Sequence, residues 1–148
     1  MDLVFYIVSS NQVEFMEMDT NGTVAGPAIA QSGSPFSNAS ISGSFGLIAG
    51  GFNISGALDV LGTLKVSGSL AGTLSGTEDV NLAGTVQTGV ALTGTYSVAN
   101  SQTSRGTAAI SGNGATSNLV FYVVSPGHAM FLDVDATELT SGFIDQQY

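Results

Sequence analysis

The run "LVFYIVSS" occupies residues 3–10 of the chain, and "LVFYVVSP" occupies residues 119–126. Both runs are apolar and rich in Val, Ile and aromatic side chains, which is typical of a buried β-strand. At an offset of 116 residues, 10 of the 29 positions from 3 to 31 are identical without a gap. The sequence therefore predicts a tandem repeat. Residues 1–31 are interpreted as tail strands copied from a preceding repeat, and residues 32–148 as one complete unit.

Each copy of the repeated segment predicts an antiparallel hairpin followed by a third strand. In the first copy, Asn21-Gly22 is a strong signal for a two-residue hairpin turn. In the second copy, Pro126-Gly127 makes the first turn, because Pro presets φ and Gly permits a left-handed corner. We expect the same local fold from different turn residues.

The rest of the chain predicts short strands. Of the 148 residues, 43% are apolar, only 9% are charged and 20 are Gly, and no helical periodicity extends over several turns. In residues 63–70, Leu64, Val66 and Leu70 alternate with polar side chains. We expect Gly50-Gly51 to mark a bulge or bend, and Thr77-Glu78-Asp79 to form an acidic turn.

About 8–10 strands at short spacing, with little or no helix, predict an all-β fold. An antiparallel up-and-down β-barrel hides its edges by closure, and glycines inside strands favour the sharp coiling that closure needs. The architecture is lipocalin-like by analogy only. The leading tail would either add strands to the barrel or pair with another chain, so a homodimer or strand-swapped assembly is expected.

The charge composition excludes several partners and cofactors. The formal net charge is −9, and Lys65 and Arg105 are the only fixed cations, so nucleic acid is excluded as a partner. No apolar run approaches the roughly 20 residues of a membrane helix, and no signal peptide is expected within the chain. An outer-membrane barrel is a weaker alternative, because the strands are Gly-rich and lack aromatic girdles. Without cysteine, neither a metal nor another cofactor is expected.

Most of the chain resembles a family of tandem β-domains from large secreted or surface proteins of Acidobacteria and related soil bacteria. The resemblance lies in "QSGSPFSNASISGSF" (31–45), "SGTEDVN" (75–81), "GTYSV" (94–98), "SRGTAAIS" (104–111) and "LVFYVVSPGHAMFLDVD" (119–135). It implies an exported, barrel-like module at the cell surface or outside the cell. The chain departs from the pattern at its start, as a fragment or internal start would.

Five carboxylates on the two copies are candidates for catalysis: Glu14, Glu17, Asp19, Asp133 and Asp135. If the tail joins the barrel, they would lie on neighbouring strands and could pair with unequal pKa values, as a glycosidase requires. The alternative is a polar outward face, opposite Phe15 and Phe131 and ending in a turn.

Four other residues are candidates for ligand binding at the barrel mouth: Tyr6, Tyr96, Tyr122 and Arg105. Tyrosine combines an apolar body with a polar tip, and Arg105 could clamp an anion or form a structural ion pair. The lone histidine, His128, is interpreted as a solvent-facing turn residue, and Glu78 and Asp79 as solvated turn charges.

These observations favour a noncatalytic, secreted or cell-surface β-barrel module, which is structural or binds a small apolar or sugar ligand. The alternative is a small cofactor-free hydrolase that uses two of the strand carboxylates as acid and base. Convergence of these carboxylates in a cleft would favour the enzyme, and their dispersal over the surface would favour the module.

Overall fold

The computed structural model describes residues 2–20 and 24–148. It separates the chain into two compact units, Met1–Ser32 and Gly33–Tyr148. Within the described residues the regular structure consists of β-strands and a single 3-10 turn at Asn38–Ser40. None of the described residues form a helix that is long and apolar enough to cross a membrane.

The first unit is a three-stranded antiparallel sheet. Its strands are β1 (Leu3–Ser9), β2 (Gln12–Glu17) and β3 (Ala25–Ile29), in the order β1-β2-β3. The hairpin turn predicted at Asn21-Gly22 lies outside the described residues.

The second unit is a closed antiparallel barrel, as predicted from the sequence, and it has eight strands. Each strand pairs with its neighbour in the chain, and the last strand pairs with the first to close the ring. The strands are β4 (Gly43–Asn53), β5 (Gly56–Val66), β6 (Thr73–Leu82), β7 (Thr85–Val98), β8 (Arg105–Gly112), β9 (Ala115–Ser125), β10 (His128–Asp133) and β11 (Glu138–Gln146).

The two copies of the repeated segment pair their strands in the same register. Phe5 lies opposite Phe15 between β1 and β2, and Phe121 lies opposite Phe131 between β9 and β10. The same correspondence holds between the β2–β3 and β10–β11 pairs. The sheet β1-β2-β3 is thus a structural copy of the barrel strands β9, β10 and β11.

The bulge predicted at Gly50-Gly51 is wrong. Strand β4 pairs without interruption through both residues, with β5 on one side and β11 on the other. A Cβ atom on Gly51 would lie only 2.0 Å from the carbonyl oxygen of Leu139. This glycine therefore allows two coiled strands to approach closely.

The acidic turn predicted at Thr77-Glu78-Asp79 is also wrong, because all three residues lie inside β6. The β6–β7 register shifts between Glu78 and Val80. At the shift, the backbone N–H of Gly89 donates to Oδ1 of Asp79 over 2.8 Å, and Gly89 has a φ of 66°. The irregularity is therefore a bulge between paired strands.

The alternation predicted for residues 63–70 holds only within β5. Leu64 and Val66 are buried in the core, whereas Leu70 is fully exposed in the segment that follows the strand. Period-two alternation ends where the strand ends, so it does not extend to Leu70.

One end of the barrel is closed by the segment that precedes β4. Phe36 and Ile41 from this segment pack into the core with Phe45 and Tyr96. The backbone N–H of Phe36 donates to the carbonyl of Ser101, which ties the segment to the β7–β8 loop. The opposite end carries the hairpin turns that follow β4, β6, β8 and β10.

Candidate functional site

The barrel encloses a cavity of about 600 Å³. Inward-facing apolar side chains from the strands line most of it, among them Leu47, Val60, Leu92, Ile110, Phe121 and Ile144. An eight-stranded barrel has room for one small ligand when its side chains do not fill it. The volume lies within the range of small-molecule sites.

Tyr96 marks the closed end of the cavity. Its hydroxyl accepts the backbone N–H of Gly68 at 3.1 Å, and it lies 3.0 and 3.2 Å from the carbonyl oxygens of Asn38 and Ile41, to which it donates. Burial raises the pKa of Tyr96, and the hydrogen bond from Gly68 partly offsets that rise. The ring packs edge-on against Phe121, with centroids 6.3 Å apart. The polar tip of Tyr96 thus fastens the closing segment to the barrel.

The opposite end of the cavity reaches solvent at the hairpin turns. Ser55, Ala83 and Asn113 line it from three of these turns, and all three are exposed. Asn113 donates to the side-chain oxygen of Gln87 over 2.6 Å, which links the β8–β9 turn to β7. A ligand can therefore reach the interior from this end.

The charged side chains that line the cavity are carboxylates. Glu78 comes from β6, Asp133 ends β10 and Glu138 begins β11. The fixed cations Lys65 and Arg105 are exposed, and neither is among the described residues that line the cavity. The charged part of the cavity lining is therefore acidic.

Asp133 and Glu138 lie together across the β10–β11 turn. Asp133 is 6% exposed, and its Oδ1 accepts the backbone N–H of Asp135 over 2.7 Å. The Oε2 atom of Glu138 lies 3.4 Å from the hydroxyl of Ser117, which donates to it. Burial raises the pKa of Glu138, and so do the hydrogen bond and the charge of Asp133, against smaller opposing effects of Ser117 and Asn53. The charge of Asp133 therefore disfavours the ionised form of Glu138.

Asp135 has a different role beside this pair. Its carboxylate accepts both the backbone N–H and the side-chain amide of Asn118, each over 2.9 Å, and these bonds lower the pKa of Asp135. Asp135 thus fastens the β10–β11 turn to β9. Carboxylate oxygens of Asp133, Asp135 and Glu138 lie within 4.8 Å of one another. They offer three side-chain ligands, whereas Ca²⁺ takes six to eight oxygens.

Thr140 adds a polar atom on the same inner face. It lies two residues after Glu138 in β11, is 7% exposed and lines the cavity. Its Oγ1 atom is buried and has no hydrogen-bond partner among the described residues. An unsatisfied buried hydroxyl costs about 1–3 kcal/mol, so a ligand that bonds to it would gain by removing this penalty.

Glu78 faces the cavity from the opposite side of the ring. Strands β6 and β10 are four positions apart in the eight-stranded order, so Glu78 and Asp133 lie across the barrel from each other. Burial raises the pKa of Glu78. The interpretation of Glu78 as a solvated turn charge is therefore wrong, whereas Asp79 is exposed.

The structure places the five candidate catalytic carboxylates in two different units. Glu14, Glu17 and Asp19 belong to the first unit, where Glu14 accepts the side-chain amide of Gln12 and Asp19 accepts the backbone N–H of Asp2. Asp133 and Asp135 belong to the barrel. The barrel ring consists of β4 to β11 only, so the tail strands add none to it.

The alternative of a polar outward face is wrong for Asp133. Asp133 and Phe131 both line the cavity, because residues two apart in a strand share a face. The side chain between them, Leu132, is exposed on the outside.

The four candidate ligand-binding residues occupy separate positions. Tyr96 lies at the closed end of the cavity, and Tyr6 lies in the first unit with 72% of its surface exposed. Arg105 and Tyr122 are opposite each other in the β8–β9 pair, and both are exposed on the outside of the barrel. The described residues at the open end are others, chiefly the carboxylates and the turn residues.

The interpretation of His128 as a solvent-facing turn residue is wrong. It begins β10 opposite Asp145, and its Nδ1 contacts Oδ1 of that residue. Its side chain is 20% exposed, and its ring packs against Phe143 with centroids 5.8 Å apart. The contact with Asp145 and Phe143 ties β10 to β11 on the outside of the barrel.

Sequence reasoning missed Glu138 and Thr140 and gave Glu78 a different role. A signal was present for all three, because each is an even number of residues from an inward apolar side chain on its strand. Glu78 lies two residues before Val80, and Thr140 lies four before Ile144. The period-two rule places such residues on the inner face once the strand boundaries are known.

Comparisons with protein-family models, with curated proteins and with solved structures found no match to this chain. The functional argument therefore rests on the cavity and on the residues that line it.

Proposed function

We propose that the barrel is a noncatalytic module that binds a small apolar molecule in its interior. The observation that carries this proposal is the cavity of about 600 Å³, which apolar side chains line and which opens at one end. Burial of a ligand there would remove apolar surface from water, at about 25 cal/mol per Å². Pockets of this kind bury most of the surface of a small ligand, and a few polar groups in them provide specificity.

The geometry of the carboxylates favours binding over glycoside hydrolysis. A glycosidase places its two carboxyl groups on either side of the scissile bond, about 5–9.5 Å apart. Carboxylate oxygens of Asp133 and Glu138 instead lie within 4.8 Å of each other, which is closer than this spacing. The hydrolase therefore remains the weaker alternative.

The experiment is a titration with Nile red, a neutral dye whose fluorescence rises in an apolar site. The wild-type chain should bind about one dye molecule per barrel. Ala108→Phe places a ring in the cavity and should abolish binding, because Ala108 lines it. Ala91→Phe is the matched control, since Ala91 is exposed on the neighbouring strand β7.

Circular dichroism would establish that both variants keep the barrel. Absence of saturable dye binding by the folded wild-type chain would overturn the proposed function. Equal loss of binding in both variants would also count against the interior as the site.

A further inference from the structure

We propose that the ligand of the barrel is a cationic amphiphile, whose ammonium group binds at Asp133 and Glu138 while its hydrocarbon part occupies the apolar interior. This inference rests on the proposed function and specifies the chemical class of the ligand. Three observations support it: the sign of the charges that line the cavity, the position of these charges, and the buried hydroxyl of Thr140 beside them.

The first argument is the sign of the charge. The cavity contains three carboxylates, and among the described lining residues none is Lys, Arg or His. An anionic ligand such as a fatty acid would meet like charges in a partly buried site, which is unfavourable. A cation would be attracted to the carboxylates and would also reduce their mutual repulsion.

The second argument is the position of the carboxylates. Glu138 lies opposite Asn53, which precedes the β4–β5 turn at the open end. The apolar side chains continue from there to Tyr96 and Ile41 at the closed end. A ligand with its charged group at the mouth and its apolar part inside would match this polarity along its length.

The third argument is the buried hydroxyl of Thr140. Its Oγ1 lacks a partner among the described residues, and Thr140 lies on the inner face of β11 with Glu138. An ammonium N–H that binds the carboxylates could also donate to this oxygen. A primary amine has three such donors, as the lysine side chain does.

The test is displacement of Nile red by three dodecyl compounds below their micellar concentrations: dodecylamine, dodecanol and dodecanoate. At pH 7.5 the amine should displace the dye at a concentration at least about tenfold lower than the alcohol, and dodecanoate should be the weakest. A tenfold difference corresponds to about 1.4 kcal/mol. Equal affinities for amine and alcohol would overturn the cationic head group while leaving the apolar site intact.

Charge variants separate the proposed site from general attraction to an acidic protein. Glu138→Gln and Asp133→Asn should each remove most of the preference for amine over alcohol, measured as the ratio of the two affinities on the same variant. Asp59→Asn is the matched control, because Asp59 is exposed and faces outward on β5. If Asp59→Asn reduced amine binding as strongly as Glu138→Gln, the proposal would be overturned. If no dye or dodecyl compound bound at all, both this proposal and the proposed function would fail.

A second inference comes independently from the first unit. We infer that the sheet β1-β2-β3 is completed by a five-stranded segment with the sequence of β4 to β8, supplied by a neighbouring repeat. The sheet has the register of β9-β10-β11. In the barrel, the two outer strands of that trio pair with β8 and β4.

The exposure of matching residues supports this inference. Phe5 is 62% exposed and its counterpart Phe121 is 6% exposed, while Ile7 is 75% exposed and its counterpart Val123 is 0% exposed. The counterparts of side chains that form the barrel core are thus exposed to solvent in the first unit. Uncovered apolar strands with open edges favour pairing with further strands.

The test is a chain extended at its N-terminus by a copy of residues 33–116, so that the added strands β4 to β8 precede β1. Amide hydrogen exchange of β1 and β2 should then slow by at least about 100-fold and approach the protection of β9 and β10. The control extension carries the same residues in scrambled order. Unchanged exchange in the extended chain, or equal protection by the scrambled extension, would overturn the inference.

Discussion

Carboxylate oxygens of Asp133 and Glu138 lie within 4.8 Å of each other at the open end of the barrel, on the two strands that flank the β10–β11 turn. The pair lies in a mostly apolar lining, and Glu78 faces it from the far side of the ring. Closure of the sheet turns all three acids toward one cavity, although Glu78 is remote from the other two in the sequence. The acidic mouth and the apolar interior are the two features that support the proposed class of ligand.

The pH dependence of amine binding should follow the ionisation of Glu138. The pKa of Glu138 is raised, so protonation at acidic pH removes the charge that attracts the ammonium group. Asp133, Asp135 and Glu78 are the other titratable groups that face this end of the barrel. Dodecylamine affinity should fall at least about tenfold between pH 7.5 and pH 4, while dodecanol affinity stays constant. Isothermal titration at several pH values measures both, and parallel pH profiles would contradict the assignment.

The free energy of unfolding should respond to Glu138→Gln in a pH-dependent way. The folded state raises the pKa of Glu138 above its ordinary value of 4.5, so the fold binds this proton more tightly than the unfolded chain. The contribution of Glu138 to stability is therefore greatest below that value and is lost as the pH rises through the folded pKa. Solvent screens this partly exposed group, so the effect is small. At pH 7.5 the free energy of unfolding of the variant should exceed that of wild type by a fraction of about 1 kcal/mol, or roughly 1–2 °C in Tm.

Thermal unfolding at pH 4 and pH 7.5 tests this difference. The variant should be more stable than wild type at pH 7.5 and closer to it at pH 4. A larger gain at pH 4 than at pH 7.5 would show that the sign is wrong. Asp59→Asn, on the outer face of β5, controls for the change in net charge.

Tyr96→Phe should destabilise the barrel by about 1–3 kcal/mol. The substitution removes the hydroxyl that bonds to Gly68, Asn38 and Ile41, and it leaves their buried backbone groups with fewer partners. Tyr122→Phe is the control, because Tyr122 is 44% exposed on the outside of the barrel. Urea unfolding of the two variants should give a clear loss for the first and a change within about 0.5 kcal/mol for the second.

Gly51→Ala should destabilise the barrel strongly, by about 2 kcal/mol or more, because the new methyl group would meet the carbonyl oxygen of Leu139. Gly46→Ala, in the same strand, is the matched control, since a Cβ atom there has no neighbour closer than 3.9 Å. Chemical denaturation should give a much lower free energy of unfolding for Gly51→Ala than for Gly46→Ala. Similar stabilities would show that the β4–β11 pair relaxes to accept the side chain.

Much of the fold could be predicted because it depends on local patterns. Apolar alternation in β5 predicted that Leu64 and Val66 are buried, and short strands with glycines inside them predicted an antiparallel barrel. The errors at Gly50-Gly51 and at Thr77-Glu78-Asp79 share one cause. Glycines and charges inside these strands look like turn signals, whereas the closed sheet uses them for close strand approach and for a polar lining.

Residue types and their spacing are enough to establish the strand composition, the copied segment and the absence of fixed cations other than Lys65 and Arg105. These properties need no knowledge of long-range contacts. The inward direction of one face of each strand, and the presence of Asp133, Glu138 and Thr140 in one cavity, depend on the tertiary structure. Ring closure sets these relationships, because the pairing of β11 with β4 turns one face of every strand toward a common interior.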